Sequence, residues 1–399
     1  MRSRDAMDAA QSAYLLEYGR RRIQVCADTF RNLAQIFGEE EKEEAEEALG
    51  QTRPTCFIKK RMMEGRQLFA GNLKELADMM NDMADESVRF ISLGSRRQKE
   101  IIRGLLGEGI LARDLYLVQR GNGHMELSIT LSSRTKSART VEEAADYLSV
   151  LLDMRLVPAK RNSFFIGENE ASYFFEEEPE YIYMTGSARA VKETEMVSGD
   201  NFAFFEAGDG NLSIVLSDGM GSGEEAFRDS GAVADMAEAM LEAGLAPEMT
   251  IQLLNSAVTG TGREDKLPTL DLCSIDLYEG RCHFLKAGAA ASFIKHGNTV
   301  EKISAATLPL GAFGRVQAEK ARREVYGGDY IILLSDGVTE GWPTEDGEEQ
   351  ICGMLAGMDV VSPSEMAGQI MRYAIEHMEG RIRDDMTVLV VGVWERQQQ

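Results

Sequence analysis

Cysteine, histidine, proline and positive charge are all scarce in this 399-residue chain, which has five Cys, four His, eight Pro, and 43 Lys and Arg against 66 Asp and Glu. The cysteines, Cys26, Cys56, Cys273, Cys282 and Cys352, are odd in number and scattered without paired metal-ligand spacing. That argues against a disulfide framework and predicts buried thiols in a reducing compartment. His124, His283, His296 and His377 do not pair with Cys or with each other at zinc spacing, so a zinc centre is disfavoured as well. His124, at the tip of an expected hairpin, reads as an exposed polar residue. A net charge of -23 argues against a general nucleic-acid binder, because phosphate backbones reward clustered Lys and Arg. No apolar stretch reaches the roughly 18 residues a spanning helix needs, and the first residues, with Arg2, Arg4 and Asp5, lack an apolar h-region. The expectation is a cytoplasmic chain.

What is present is a 44% hydrophobic composition, enough for two or three domains with a sizeable core. From Met1 to about residue 90 the chain is rich in Ala, Leu, Met, Glu and Arg, with Pro54 its one proline, and reads as long helices. The run Glu39 to Ala48 has no apolar face and reads as a solvated helix end or loop. Leu68, Leu73, Leu76, Met79, Met80 and Met83 recur at helical spacing, so Met63 to Val88 predicts an amphipathic helix whose stripe packs on a partner helix or a second copy of the chain. Residues 91–172 predict a small α/β module for regulation or interaction. It has an amphipathic helix over Ser95 to Gly107, a hairpin around Gly121-Asn122-Gly123, and a helix opened by the capping box of Thr140 and Glu143 and running to about Met154.

From residue 173 to residue 399 the pattern changes to short strands. Expected strands are Asn201 to Ala207, Leu212 to Leu216, Asp271 to Tyr278, Arg281 to Lys286, Ser292 to Lys295, Tyr330 to Leu334 and Met386 to Val393. Helices are expected over Glu224 to Ala243, Pro247 to Val258 and Ser364 to Glu379. Strands in hairpin runs with helices grouped apart predict an α+β fold of mainly antiparallel sheet.

Two of these strands end alike, in Ser217-Asp218-Gly219 and Ser335-Asp336-Gly337, and a third opens at Asp384-Asp385. With Asp200 in "VSGD", they place carboxylates at strand ends, where a rigid backbone can fix ligand geometry. One Asp-Gly is an ordinary turn, and Ser-Asp often caps a helix. The repeated pattern is harder to assign to turns, and an oxygen-only set suits Mg²⁺ or Mn²⁺. Ser217 and Ser335 read as strand-end hydrogen-bonding groups rather than nucleophiles. Met220-Gly221-Ser222-Gly223 reads equally as a helix-entry turn or as a hinge between Asp218 and the helix. Ala287-Gly288-Ala289-Ala290-Ala291 reads equally as tight sheet packing or as a small-residue stretch beside the site.

The stretches "VSGDNF", "LSDGMGSGEEA", "LPTLDLCSIDLYEGRCHFLKAGAAASFIKHG", "LPLGAF", "GDYIILLSDGVTEG" and "RDDMTVLVVGV" occur in order over about Glu195 to Trp394. They resemble the PP2C-type metal-dependent protein serine/threonine phosphatases and, within them, the stage II sporulation protein E group. The resemblance implies a central β-sandwich flanked by helices, with two Mn²⁺ or Mg²⁺ ions at one end. It implies catalytic Asp218 and Asp336, and a metal set of Asp200, Asp218, the Gly219 carbonyl, Asp336 and either Asp384 or Asp385. The family's phosphate-binding arginine has no clear match, Arg189 and Lys192 being weak candidates. The implied substrate is a phosphoserine protein such as an anti-anti-sigma factor, with a role in sporulation, in a homodimer that is cytoplasmic or the cytosolic part of a membrane protein. The competing reading is a catalytically inactive phosphatase-like scaffold acting through protein interaction.

Overall fold

The structure is a computed structural model that describes residues 23–24, 27–32, 70–81, 89–120, 123–133, 139–207, 210–260, 267–312, 318–340, 342, 347–359 and 362–396. The acidic run Glu39 to Ala48 and the stripe residues Leu68 and Met83 lie outside them. The chain divides into two compact units, one containing residues 80–179 and the other residues 28–79 and 180–399.

In the first unit a five-stranded antiparallel sheet is built from β1 (Arg89–Ile91), β2 (Ile110–Gln119), β3 (Met125–Ser133), β5 (Leu156–Pro158) and β7 (Ala171–Glu177), in the order β1-β2-β3-β7-β5. Helices α1 (Ser95–Gly107) and α2 (Val141–Leu152) share its core, and β4 (Arg139–Thr140) pairs with β6 (Phe165–Ile166). The expected capping box is present: the Thr140 side chain accepts from the Glu143 N–H, and Glu143 accepts from the Thr140 N–H. His124 is half-buried, with Nδ1 at 3.3 Å from Glu177 Oε2, and is not the free polar tip its hairpin position suggests. The boundary expected at residue 172 falls inside β7. That strand pairs with β3 from Glu126↔Glu176 to Leu131↔Ala171, so this unit keeps it.

The second unit is a sandwich of two five-stranded antiparallel sheets. One has the order β15-β12-β11-β10-β9, from β9 (Asp200–Ala207), β10 (Asn211–Asp218), β11 (Leu270–Asp276), β12 (Arg281–Ala287) and β15 (Glu319–Glu324). The other has the order β14-β13-β16-β17-β8, from β8 (Tyr181–Ala190), β13 (Ser292–His296), β14 (Thr299–Ile303), β16 (Asp329–Leu334) and β17 (Met386–Glu395). Strand alternation sorts the side chains. Leu212, Ile214 and Leu216 of β10 meet Ile294, Ile331, Leu333 and Leu389 between the sheets, while Val215 points outward to α3 (Glu224–Glu242) and α4 (Pro247–Gly260). The outer face of the second sheet is covered by α6 (Gly347–Ala356) and α7 (Pro363–His377), through Ile351, Leu355, Met366 and Ile370. Each such fully buried side chain contributes roughly 1.5–3 kcal/mol of transfer free energy.

Candidate functional site

Two strand ends, one from each sheet, are each tied by their serine to a threonine of the neighbouring segment. Ser217 Oγ donates to the Thr269 carbonyl at 2.8 Å, the Asp218 N–H donates to Thr269 Oγ1 at 3.2 Å, and the Thr269 N–H returns a bond to the Asp218 carbonyl at 2.9 Å. In the second sheet the Ser335 N–H donates to the Thr387 carbonyl at 3.0 Å, and the Thr387 N–H donates to Ser335 Oγ at 2.8 Å. Each serine thus locks its strand to a threonine next door and leaves the following aspartate at the strand end. The glycines have an equally local cause. A Cβ on Gly219 would stand 2.3 Å from the Ala226 carbonyl oxygen of α3, and one on Gly337 would stand 2.1 Å from the Asp385 carbonyl oxygen. Only glycine lets these backbones approach so closely.

These locks bring the aspartates together. Asp218 is the cross-strand partner of Asp200, which is fully buried, with neither carboxylate oxygen in a hydrogen bond. Asp336 opens the short helix α5 (Asp336–Thr339) directly after β16. Burial first, then the charges of Asp200 and Asp336, push Asp218 up to about 10. Burial also pushes Asp200 up to about 6; the Thr387 and Ser335 hydroxyls nearby oppose that rise without reaching hydrogen-bond geometry. Asp336 is raised by burial and by the charge of Asp384. Among the described residues no three His, Cys, Asp or Glu side chains already stand at the spacing of a filled cation site. The aspartates form an uncompensated cluster, which is costly unless positive charge is supplied. Oxygen donors with two unpartnered atoms fit a hard divalent cation.

Asp384 and Asp385 have different surroundings. Asp385 is 3% exposed, and its two carboxylate oxygens accept from the Lys192 N–H at 3.0 Å and the Gly199 N–H at 2.7 Å. It ties the chain before Asp200 to the start of β17. Asp384 is partly exposed, with Oδ1 at 3.7 Å from Lys192 Nζ. Arg189 donates to the Asp200 carbonyl, with its guanidinium carbon 5.3 Å from the Phe202 ring centroid, while Lys192 reaches the open side of the cluster.

Three residues at the site escape a reading by motif. Glu340 is raised by burial, then by the charges of Asp336 and Asp384, and its N–H donates to the Asp336 carbonyl at 2.8 Å. Thr269 supplies the lock described above. Asp271 lines a cavity of about 20 Å³ together with Asp218, Gly288, Ala289, Ala290, Ser335 and Asp336. Asp271 and Lys286 carry charge in line with inward positions that otherwise hold Cys273, Ile275, Cys282 and Phe284. The small residues after Ala287 do line the site, and Gly288, at φ 68°, would bring a Cβ to 2.7 Å from the Pro309 nitrogen. In the other glycine segment Ser222 Oγ donates to Glu195 Oε1 at 2.9 Å. His283, His296 and His377 play no part in the cluster: His296 pairs with Asp329 at 2.8 Å, and His377 Nδ1 meets its own helix at the Tyr373 carbonyl.

The model of the stage II sporulation protein E (SpoIIE) family matches residues 208–394. Stage II sporulation protein E of Bacillus subtilis (strain 168) is 32% identical over 341 residues, covering 84% of this chain and 41% of the relative. The Priestia megaterium protein of the same name is 28% identical over 336 residues, covering 84% of this chain and 57% of the relative. The chain therefore spans less than two thirds of the length of either. A solved structure of the PP2C phosphatase domain and a fragment of the regulatory domain of SpoIIE from Bacillus subtilis is 29% identical, with a TM-score of 0.60, covering 85% of this chain and 99% of that one. The locked strand ends are set in a sandwich of that fold, and residues 208–394 of this chain match the SpoIIE family.

Proposed function

We propose that this chain is a PP2C-type, metal-dependent protein serine/threonine phosphatase acting on phosphoserine of a regulatory protein of the anti-anti-sigma-factor kind, in the control of a sporulation sigma factor. The observation that carries this reading is the pairing of Asp218 with the buried Asp200, whose two carboxylate oxygens have no partner. Asp200, Asp218, the Gly219 carbonyl, Asp336 and Asp384 would hold two Mn²⁺ or Mg²⁺ ions. Asp385, with both oxygens taken by backbone N–H groups, acts as a clamp behind Asp384. Divalent cations bound there would supply charge neutralisation at the phosphoryl group and activation of water for hydrolysis.

The chain's own residues define the rest. Asp218 and Asp336 come from different sheets, so the sandwich sets their separation. Lys192, beside Asp384, offers a cation to a phosphoryl oxygen at the open side of the cluster. Ser217 and Ser335 are committed to strand locking, which leaves no protein hydroxyl poised as a nucleophile at these two positions. The reading extends to a cytoplasmic location and to a homodimer. Among the described residues no helix is long and apolar enough to cross a membrane.

The test is Mn²⁺-dependent release of phosphate from a phosphoserine protein by the full chain. Asp218→Asn and Asp336→Asn should each lower turnover by at least about 100-fold with the fold retained by circular dichroism, the scale seen when one transition-state stabiliser is removed. Wild-type turnover in either variant overturns the site assignment. No release by the parent at any Mn²⁺ concentration favours an inactive scaffold.

A further inference from the structure

The two sheets are joined, directly beneath the aspartate cluster, by charge rather than by apolar packing. Asp271 of β11 and Lys286 of β12 are cross-strand partners in the first sheet, each 1% exposed, and Lys286 Nζ donates to Asp271 Oδ2. Ser292 of β13 lies in the second sheet. Its hydroxyl accepts from Lys286 Nζ at 2.7 Å and donates to the same Asp271 Oδ2 at 2.6 Å. The three groups close a ring across the sandwich. The ring lies one inward position from the site on both sides. Asp271 pairs with Leu216, two residues before Asp218, and Ser292 pairs with Leu333, two residues before Ser335. Neighbouring inward positions hold apolar residues such as Ile214, Ile275, Ile294 and Ile331.

Stability alone is a poor reason for the ring, because a buried ion pair gives little or nothing over apolar residues of the same volume. Direction is what an ion pair adds. Apolar layers slide and repack at small cost, whereas a hydroxyl bonded to both members of a salt bridge tolerates little displacement. Asp218 belongs to one sheet and Asp336 to the other, and the cavity they line includes Asp271. Asp271 Oδ1 has no hydrogen-bond partner, and the cavity of about 20 Å³ has room for a single water beside these carboxylates.

We propose that Lys286, Asp271 and Ser292 are positioning residues, a polar cross-link that sets the gap between Asp218 and Asp336 and with it the spacing of the cation site. The proposal rests on the reading of the cluster as a cation centre. Groups that orient ligands from behind typically change metal affinity by about 10–100-fold when removed. The test is direct Mn²⁺ binding to the full chain, followed by electron paramagnetic resonance of free Mn²⁺, with thermal unfolding recorded alongside. Ser292→Ala, and the double variant Asp271→Asn with Lys286→Met, should each weaken Mn²⁺ binding by about 10-fold or more. At saturating Mn²⁺ they should lower kcat while KM for the phosphoprotein holds. Ile294→Val, at the next inward position of β13, should lower thermal stability yet leave Mn²⁺ affinity within about twofold, as expected of a trimmed core residue. Affinity in Ser292→Ala equal to the parent's overturns the proposal, as does an equal loss in Ile294→Val. A parent that binds no Mn²⁺ overturns the cation reading itself and this inference with it.

Discussion

At the scale of single residues, the aspartates are distinguished by what each one lacks. Asp385 has both oxygens satisfied and Asp200 has neither, although both are buried. The sequence "RDDM" cannot tell Asp384 from Asp385, because both precede β17 and only the packing says which carboxylate is taken up by backbone N–H groups. The raised carboxyl of Asp218 yields a signed prediction. Its folded value, about 10, lies above its ordinary 3.8, so its contribution to stability is full below about pH 4 and is lost as pH rises toward 10. Chelated protein should therefore lose thermal stability from about pH 5 to about pH 9, and Asp218→Asn, which cannot ionise, should flatten that decline. At pH 8 in EDTA the variant should melt several degrees higher than the parent, and in excess Mn²⁺ the order should reverse. Parallel pH curves for the two proteins in EDTA would count against the electrostatics described here.

At the scale of elements, the strands rich in apolar residues were legible, and of the four edge strands of the sandwich only β9 was. β10, β11, β16 and β17 carry apolar residues on both faces because both faces are covered, and their sequences show it. β15 reads Glu-Lys-Ala-Arg-Arg-Glu, with no hydrophobic pattern to find. It lies at a sheet edge, where charge discourages pairing with another chain. β8 was missed as well. It too is an edge strand, and its partner β17 lies about 200 residues downstream, from Met386↔Ala190 to Glu395↔Tyr181. The stripe expected over Met63 to Val88 is helical over residues 70–81, with Leu73 and Ala77 buried. Asn72 Oδ1 accepts from Ser256 Oγ of α4 at 2.8 Å, so this helix reaches the pair of helices that begins just after Asp218. A helix shift there would bear on Asp218 and Gly219. Leu73→Asp with Leu76→Asp should therefore alter the association state and raise the Mn²⁺ concentration needed for half-maximal activity by about 3-fold or more, a coupling of about 0.7 kcal/mol. Sedimentation and Mn²⁺-titrated kinetics that both match the parent would make the stripe plain core with no regulatory reach.

At the scale of the whole molecule, catalysis assigned to oxygen ligands predicts how the protein answers to reagents. Cys273 and Cys282 lie between the sheets with no exposure, and burial, then Cys282, pushes the Cys273 thiol up. Alkylation of the native protein should leave turnover above about half, whereas EDTA should abolish it and millimolar Mn²⁺ restore it, because buried neutral thiols are inert and water-rich oxygen sites hold their ions weakly. A turnover lost to iodoacetamide, and lost equally in a Cys273→Ala, Cys282→Ala variant, would contradict the mechanism.

The sequence by itself determined the local terms. Period-two strands, the Thr140 capping box, the repeated Ser-Asp-Gly ends and the family motifs are all written within a few residues of one another, and they sufficed for the fold class and for setting Asp200, Asp218 and Asp336 at strand ends. Tertiary structure decided what depends on pairing across long separations: that β7 belongs to the first unit, that Asp385 is a clamp while Asp384 stays open, and that Asp271, Lys286 and Ser292 meet across the sandwich. A residue's type sets what it can bond, but which group stands 3 Å away is set by the register of strands far apart in the chain, and a shift of one residue turns every side chain to the opposite face.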